Sequence, residues 1–386
     1  MNNSDTEEKS RAEKITEEET KDVNREKNSD FAGWFMLSRV RQELFGVAMI
    51  GVILLHICQQ IEKCGKGSKL YKFGFLYDLM FSSSGVEIFL MLSGVGLCFS
   101  YHKNKNLIAY YKRRFLRILV PYVIFAIPFW LVTDLVIEDK KMNDVWEDFF
   151  FVTFFRGEKT TFWFIIFILA MYIIYPLLFK LFCYRTGKEK SKSERMRLMI
   201  IALVLIVSLY MLLYLTKKVC PTFYNNIEIA ILRIPVFVYG AYIGEKVYRR
   251  KMLSVLDILL PVIGMIQKMV LIVDRADRKI DIKRVFNARL TAFLYSTALI
   301  LIFALILDML KSADKLKILR KFLCIIGKYS LELYISHIMI RRVMIGHYGN
   351  RGFVERLYIF ILATAVLAYI IKLVSQLIIK KIYKKT

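Results

Sequence analysis

Ten stretches of this chain are apolar over about the 20 residues needed to cross ~30 Å of hydrocarbon, and that repetition limits the possible folds more than any other feature. They run over 44–60, 80–101, 118–137, 161–182, 198–216, 229–247, 252–273, 290–310, 323–341 and 357–378. In lipid every backbone N–H and C=O must be satisfied within the segment, so spans of this composition predict α-helices. The expected fold is all-α, a polytopic membrane helical bundle of about ten transmembrane helices. Composition excludes one soluble domain: 56% of the 386 residues are hydrophobic and the mean hydropathy is +0.45.

The net charge of +25 would suggest nucleic acid in a soluble protein. Here the basic residues sit in short loops between apolar segments, so the charge reads as topology and no nucleic-acid partner is expected. HKNKNLIAYYKRRFLR, YRTGKEKSKSERMR, YRRK, KSADKLKILRK and the tail KKIYKKT all fall on one side if the spans alternate. The positive-inside rule makes that side cytoplasmic and places both termini there. One loop disagrees: Asp274 to Arg289 carries six basic residues yet lands outside. Either span 252–273, which holds Asp257, Pro261, Gln267 and Lys268, is re-entrant, or the loop's charge is tolerated.

Residues 1–30 contain ten acidic and six basic residues and almost nothing apolar, a composition that cannot bury a core. They are expected to form a disordered cytoplasmic tail, not a signal peptide, ahead of a transmembrane domain over 31–386. The six cysteines show no CxxC pair, so neither a disulfide framework nor a metal site is expected. Membrane lipid is the partner that composition implies.

Inside these spans stand ionisable residues whose insertion costs roughly 2 to 3 kcal/mol each on the lenient scale. His56 lies about 12 residues into an outward-running helix, ~18 Å from the inner face at 1.5 Å rise per residue. Glu87 lies ~10 Å from the outer face, Arg233 has a similar offset, and His337 is ~21 Å from the inside. Four polar residues on four helices at one depth predict a common cavity, because each needs a partner or water. The plainer alternatives are a packing histidine for His56 or His337 and a structural ion pair for Glu87 and Arg233. Glu332 falls deeper, and His102 and His347 read as surface residues in loops. At the opposite face, Lys112, Arg113, Arg114 and Arg117 begin the third span. Such a cluster serves as an anchor to anionic lipid, or equally as a fork for the phosphates of a nucleotide-like donor.

In order along the chain, GVEIFLMLSG, KRRFLRILVPY, FWFIIFILAMYIIYPLL, RIPVFVYGAYIG and IGKYSLELYISH resemble the acyltransferase-3 family of bacterial integral-membrane acyltransferases, of O-acyltransferase type. The resemblance covers roughly residues 36 to 378. It implies a ten-helix core in the bacterial cytoplasmic membrane that moves an acyl group, often acetyl from acetyl-CoA, to a hydroxyl of a carbohydrate or glycolipid of the cell envelope. The acyl-CoA is then a substrate and no bound cofactor is implied. His56 matches the histidine ending the family's first span and becomes the leading catalytic candidate. Glu87 stands where the family commonly has aspartate. Arg114 and Arg117 match the basic residues before Pro-Tyr, Trp163 the aromatic motif, Arg233 the later arginine, and Ser330, Tyr334 and His337 the last motif. The chain departs from the pattern at Phe45, where many members carry Arg or Lys eleven residues before the histidine; Arg41 lies one turn earlier on the same face.

These residues predict a mechanism. His56 takes the proton of an acceptor hydroxyl, Glu87 fixes the imidazole tautomer, and Arg233, Tyr334 or His337 stabilises the oxyanion. The Arg113, Arg114 and Arg117 cluster holds the CoA phosphates while the pantetheine arm rises along an internal channel. A transporter or permease for a polar or lipid-linked substrate remains the competing reading, since intramembrane charge beside Gly94, Gly96, Gly240 and Gly244 also marks transporters. An inactive scaffold is a third, prompted by Phe45.

Overall fold

A computed structural model describes residues 33–65, 70–81, 84–183, 207, 209–273, 282–312 and 316–384. Helices account for nearly all of them, and no β-strand occurs among the described residues. In chain order the principal helices are α1 (Arg41–Lys63), α2 (Tyr71–Phe81), α3 (Ser84–Lys103), α4 (Leu107–Trp130), α5 (Met142–Phe149) and α6 (Trp163–Cys183). They continue as α7 (Pro221–Ile231), α8 (Ile234–Tyr248), α9 (Val255–Val273), α10 (Ile282–Met309), α11 (Lys317–Lys328), α12 (Ser330–Glu355) and α13 (Leu357–Lys384).

Among the described residues eight helical runs are long and apolar enough to cross a membrane, or nine if the bent pair α11 and α12 counts as one. The expected span 198–216 lies largely outside the described residues, as do the tail 1–30, the loop YRTGKEKSKSERMR and the 274–281 part of the basic loop. The polar start of span 252–273 has a local explanation. Asp257 sits in the first turn of α9, where Lys246 (2.8 Å), the Trp34 indole (3.1 Å) and the Ser254 backbone N–H (2.9 Å) all donate to its carboxylate.

Three expected spans are not straight, and each break shapes the site. Residues 323–341 are not one span: α11 and α12 meet at Tyr329 and are bent by 73°. Lys372 of α13 places its ammonium on the Lys328 carbonyl (2.5 Å) and 4.0 Å from the Tyr329 ring centroid, so the acceptor freed at the bend finds a cation. Hydropathy averaged along a window cannot see such a turn. The span expected at 229–247 breaks between α7 and α8, because Pro235 supplies no N–H and its ring opposes the carbonyl four residues back. The Arg233 N–H turns to Ala230, and the Arg233 guanidinium takes over the Ile229 carbonyl. In the third span, α4 passes Pro128 and opens into a π-helix over Leu131–Ile137, a wide turn of the kind often found at functional sites.

α3 and α8 pack backbone to backbone: a side chain on Gly94 would run into Gly240 and Ala241, and one on Gly240 would meet Met91. The glycines that suggested a transporter therefore include a close helix contact of the small-residue type. That contact brings Glu87 on α3 against Arg233 at the head of α8. Arg320 of α11 reaches Glu43 of α1 (2.8 Å), holding α11 along the helix that carries His56.

Candidate active site

One face of α1 carries Arg41, Phe45, Met49, Val52, His56, Gln59 and Lys63 at steps of three or four residues, and all seven line a single cavity of about 760 Å³. At 1.5 Å per residue the stretch from Arg41 to Lys63 spans about 33 Å, the length of a membrane crossing. The cavity therefore follows the whole helix. His56 sits ~22 Å along it from Arg41 and ~10 Å from Lys63.

The Arg41 end is cationic. Arg41, Arg114 and Arg117 line it, and no carboxylate lies within ion-pair distance of the three among the described residues. Arg41 lies over the Phe45 ring (5.6 Å) and against Gly96, where a Cβ would come 2.9 Å from its guanidinium carbon. Arg41, one turn before position 45, is the cation that α1 presents at this end of the cavity. Arg113 does not belong to this group and corrects the sequence reading: it is exposed and absent from the cavity wall. At 100° per residue Arg114, Arg117 and Ile118 share the cavity face of α4, and Arg113 is turned roughly a quarter-circle away from its centre.

At the middle, the His56 Nδ1 lies 2.8 Å from the Arg341 Nη1 and 3.1 Å from the Gln59 Oε1. Its ring stacks on His337 at 5.4 Å. His337 is fully buried behind it; its Nδ1–H donates to the Leu333 carbonyl (2.8 Å), which leaves Nε2 without a partner among the described residues. Tyr334 lines the cavity, and its buried hydroxyl also lacks a hydrogen-bond partner among the described residues.

Glu87 and Arg233 are placed differently from the sequence expectation. They pair with each other, Nε to Oε1 at 3.2 Å, with side chains only 1% and 5% exposed, and neither lines the cavity. Arg233 also lies 5.2 Å from the Trp163 ring centroid, and Trp163 does line it. The pair stands one layer behind the wall and backs an aromatic that forms it. The tautomer-fixing role expected of Glu87 is corrected, since Gln59 and Arg341 occupy the His56 Nδ1. The reason is electrostatic: the guanidinium at the α7–α8 break needs a buried counter-charge, and Glu87 is spent on it.

The far end carries mixed charge that sequence reading missed. Lys159 sits between Asp134 (2.9 Å), Asp148 and Glu138 (3.4 Å), while Arg342 pairs with Glu138 and Thr153 bonds Asp148. Burial raises the Glu138 carboxyl, but Lys140, Arg342 and Lys159 outweigh it and hold the group down to about 2. Burial likewise works against the Lys159 ammonium, and Asp148 and Asp134 overcome that and raise it. The signal was present as DLVIEDKK and EDFF followed by GEKTT, but those charges read as an ordinary loop until the π-helix turns Asp134 inward.

A family model described as an acyltransferase domain matches residues 46–374. The chain belongs to the acyltransferase-3 family. It is a multi-pass membrane acyltransferase. No curated protein and no solved structure matches it. In this acyltransferase-3 chain His56 and Trp163, the residues that resemble the family's histidine and aromatic motifs, both line the cavity. His102 corrects a further reading: rather than a loop surface residue it closes α3 with its side chain 8% exposed, its Nε2 2.9 Å from Glu245 and its ring stacked 3.9 Å from Tyr248. The Cys98, His102 and Glu245 donor atoms lie within 4.8 Å of one another, a spacing that suits a metal ion and was not expected from the sequence. Glu245 already pairs with His102 and with Arg249 (2.5 Å), which accounts for the cluster without an ion.

Proposed function

We propose that this protein transfers an acyl group, acetyl from acetyl-CoA, to a hydroxyl of an envelope carbohydrate or glycolipid, using the cavity as a passage across the bacterial cytoplasmic membrane. The observation that carries the reading is a lining with three arginines that have no ion-pair partner among the described residues at one end, polar residues at the other and a histidine between them. By the positive-inside rule the arginine end faces the cytoplasm, where CoA is found. Guanidinium forks suit its phosphates, and an extended pantetheine arm has to bridge about 22 Å to bring the thioester to His56. The acceptor enters from the opposite mouth.

The acceptor oxygen attacks the thioester carbonyl carbon, and the new O–C bond forms as the hydroxyl proton passes to the Nε2 of His56. The tetrahedral intermediate expels the CoA sulfur by breaking the C–S bond, and the imidazolium returns its proton to that sulfur. The Tyr334 hydroxyl, free to donate, is the best-placed group for the oxyanion; Arg233 is engaged elsewhere. For Nε2 to act as base, Nδ1 must carry the other proton, and the Gln59 Oε1 is its acceptor.

A cavity running the length of a span also fits a permease, and one assay separates the two. Purified protein in liposomes is given acetyl-CoA and candidate glycans, and CoA release is measured beside His56→Ala. Glycan-dependent release lost in the variant supports transfer. Undiminished release in the folded variant rejects His56 as the base, and glycan passage without release favours the permease.

A further inference from the structure

Arg341 stands out among the cations on the mouth side of the cavity. Arg342 is neutralised by Glu138, and Lys159 by Asp134 and Asp148; Lys63 is exposed at the rim. Arg341 lines the cavity beside His56, and among the described residues no carboxylate lies within ion-pair distance of it. A guanidinium held inside a bundle without a counter-ion is costly unless an anion joins it. Its present partner is the His56 Nδ1, and that contact is at odds with catalysis. Arg341 can only donate, so Nδ1 accepts, the ring proton sits on Nε2, and the nitrogen meant to act as base has no free lone pair.

We infer that Arg341 receives an anionic group, carboxylate or phosphate, carried by the acceptor close to the hydroxyl that is acylated. The inference rests on the transfer reading above and names the acceptor's class. The donor's phosphates do not meet this need, because their arginines lie about 22 Å away along α1. The mouth side is favoured because Arg341 follows His337 by one turn of α12 and leads to Ile345 and Gly346 at the cavity wall. Once the anion draws Arg341 away, the Gln59 oxygen takes the Nδ1–H and Nε2 becomes the basic nitrogen. An empty site is thereby kept from spending acyl-CoA on water.

The test uses the full-length protein in nanodiscs with three probes: methyl glucuronide, glucose 1-phosphate and neutral methyl glucoside. Affinities come from thermal-shift titration, which needs no turnover. The wild type is expected to bind at least one anionic probe about tenfold more tightly than the glucoside, about 1.4 kcal/mol. That ratio should fall toward one in Arg341→Gln and be partly kept in Arg341→Lys, which retains the charge and loses the fork. Should Arg341→Gln fail to fold, the weakened ratio in Arg341→Lys decides. Equal binding of all three probes by the wild type overturns the inference, as does an anion preference that survives both variants. A preference in transfer assays for succinyl-CoA over acetyl-CoA that Arg341→Gln removes also overturns it, since it assigns Arg341 to the acyl chain. Selective anion binding with no transfer to any acceptor sinks the transferase reading and leaves the anion site standing.

Discussion

Replacing Gly96 by alanine tests the donor end of the cavity with one methyl group. The new Cβ would stand 2.9 Å from the Arg41 Cζ, with Nη2 at 2.9 Å and Nη1 at 3.1 Å, closer than such atoms can pack. What must give way is the end of a flexible side chain rather than backbone, so the helix tolerates the change; within α3 alanine is better than glycine by about 1 kcal/mol. The guanidinium leaves its place beside Arg114 and Arg117. A hydrogen bond to a charged group contributes about 1.5–3 kcal/mol, and partial displacement puts the loss at the lower end, about tenfold in KM for acetyl-CoA. kcat should stay near wild type, because His56 is ~22 Å away. Steady-state kinetics on protein in liposomes, beside a thermal melt, reads all three quantities. Arg41→Gln should show the same KM defect, and the double variant no more than the larger single effect, since both remove one contact. A fall in kcat at unchanged KM, or fully additive single effects, would refute the placement of Arg41 in donor binding.

The other predictions concern the layers around the chamber. Glu87→Gln or Arg233→Met alone should destabilise the fold by about 3–5 kcal/mol by stranding a buried charge, and a Glu87→Met, Arg233→Met pair should recover much of it; a Glu87→Gln protein of wild-type stability that has lost over a hundredfold in kcat would instead place the carboxylate in the chemistry. The Glu138 contribution to the mouth is complete above its ordinary value of 4.5 and is lost as pH falls toward about 2, whereas that of Lys159 is complete below 10.5 and declines only above it. Hydrogen exchange across residues 138–160 should therefore, after correction for intrinsic rates, show constant protection between about pH 7.5 and pH 10, and a step inside that window would point to a different network.

Which parts of this site were legible in the sequence follows from what a linear pattern can encode. Helix existence was, because hydrocarbon demands long apolar runs, and the eight helices long and apolar enough to cross among the described residues all fall within or around expected spans. The breaks were not, since the 73° turn at Tyr329 comes from packing α11 along α1 and from Lys372 on another helix. Helical rise put His56, Glu87, Arg233 and His337 at one expected depth, and the structure holds them as two contacting pairs. Depth fixes one coordinate and leaves rotation about each helix open, so it could not say that Glu87 turns to Arg233 while Arg341 turns to His56. Arg341 was passed over for a related reason: four residues beyond His337, it reads as a boundary cation marking the end of a span. Only the fold of α12 shows that this boundary lies inside the protein, and a cation that would snorkel to water on a lipid-facing helix here faces the His56 imidazole.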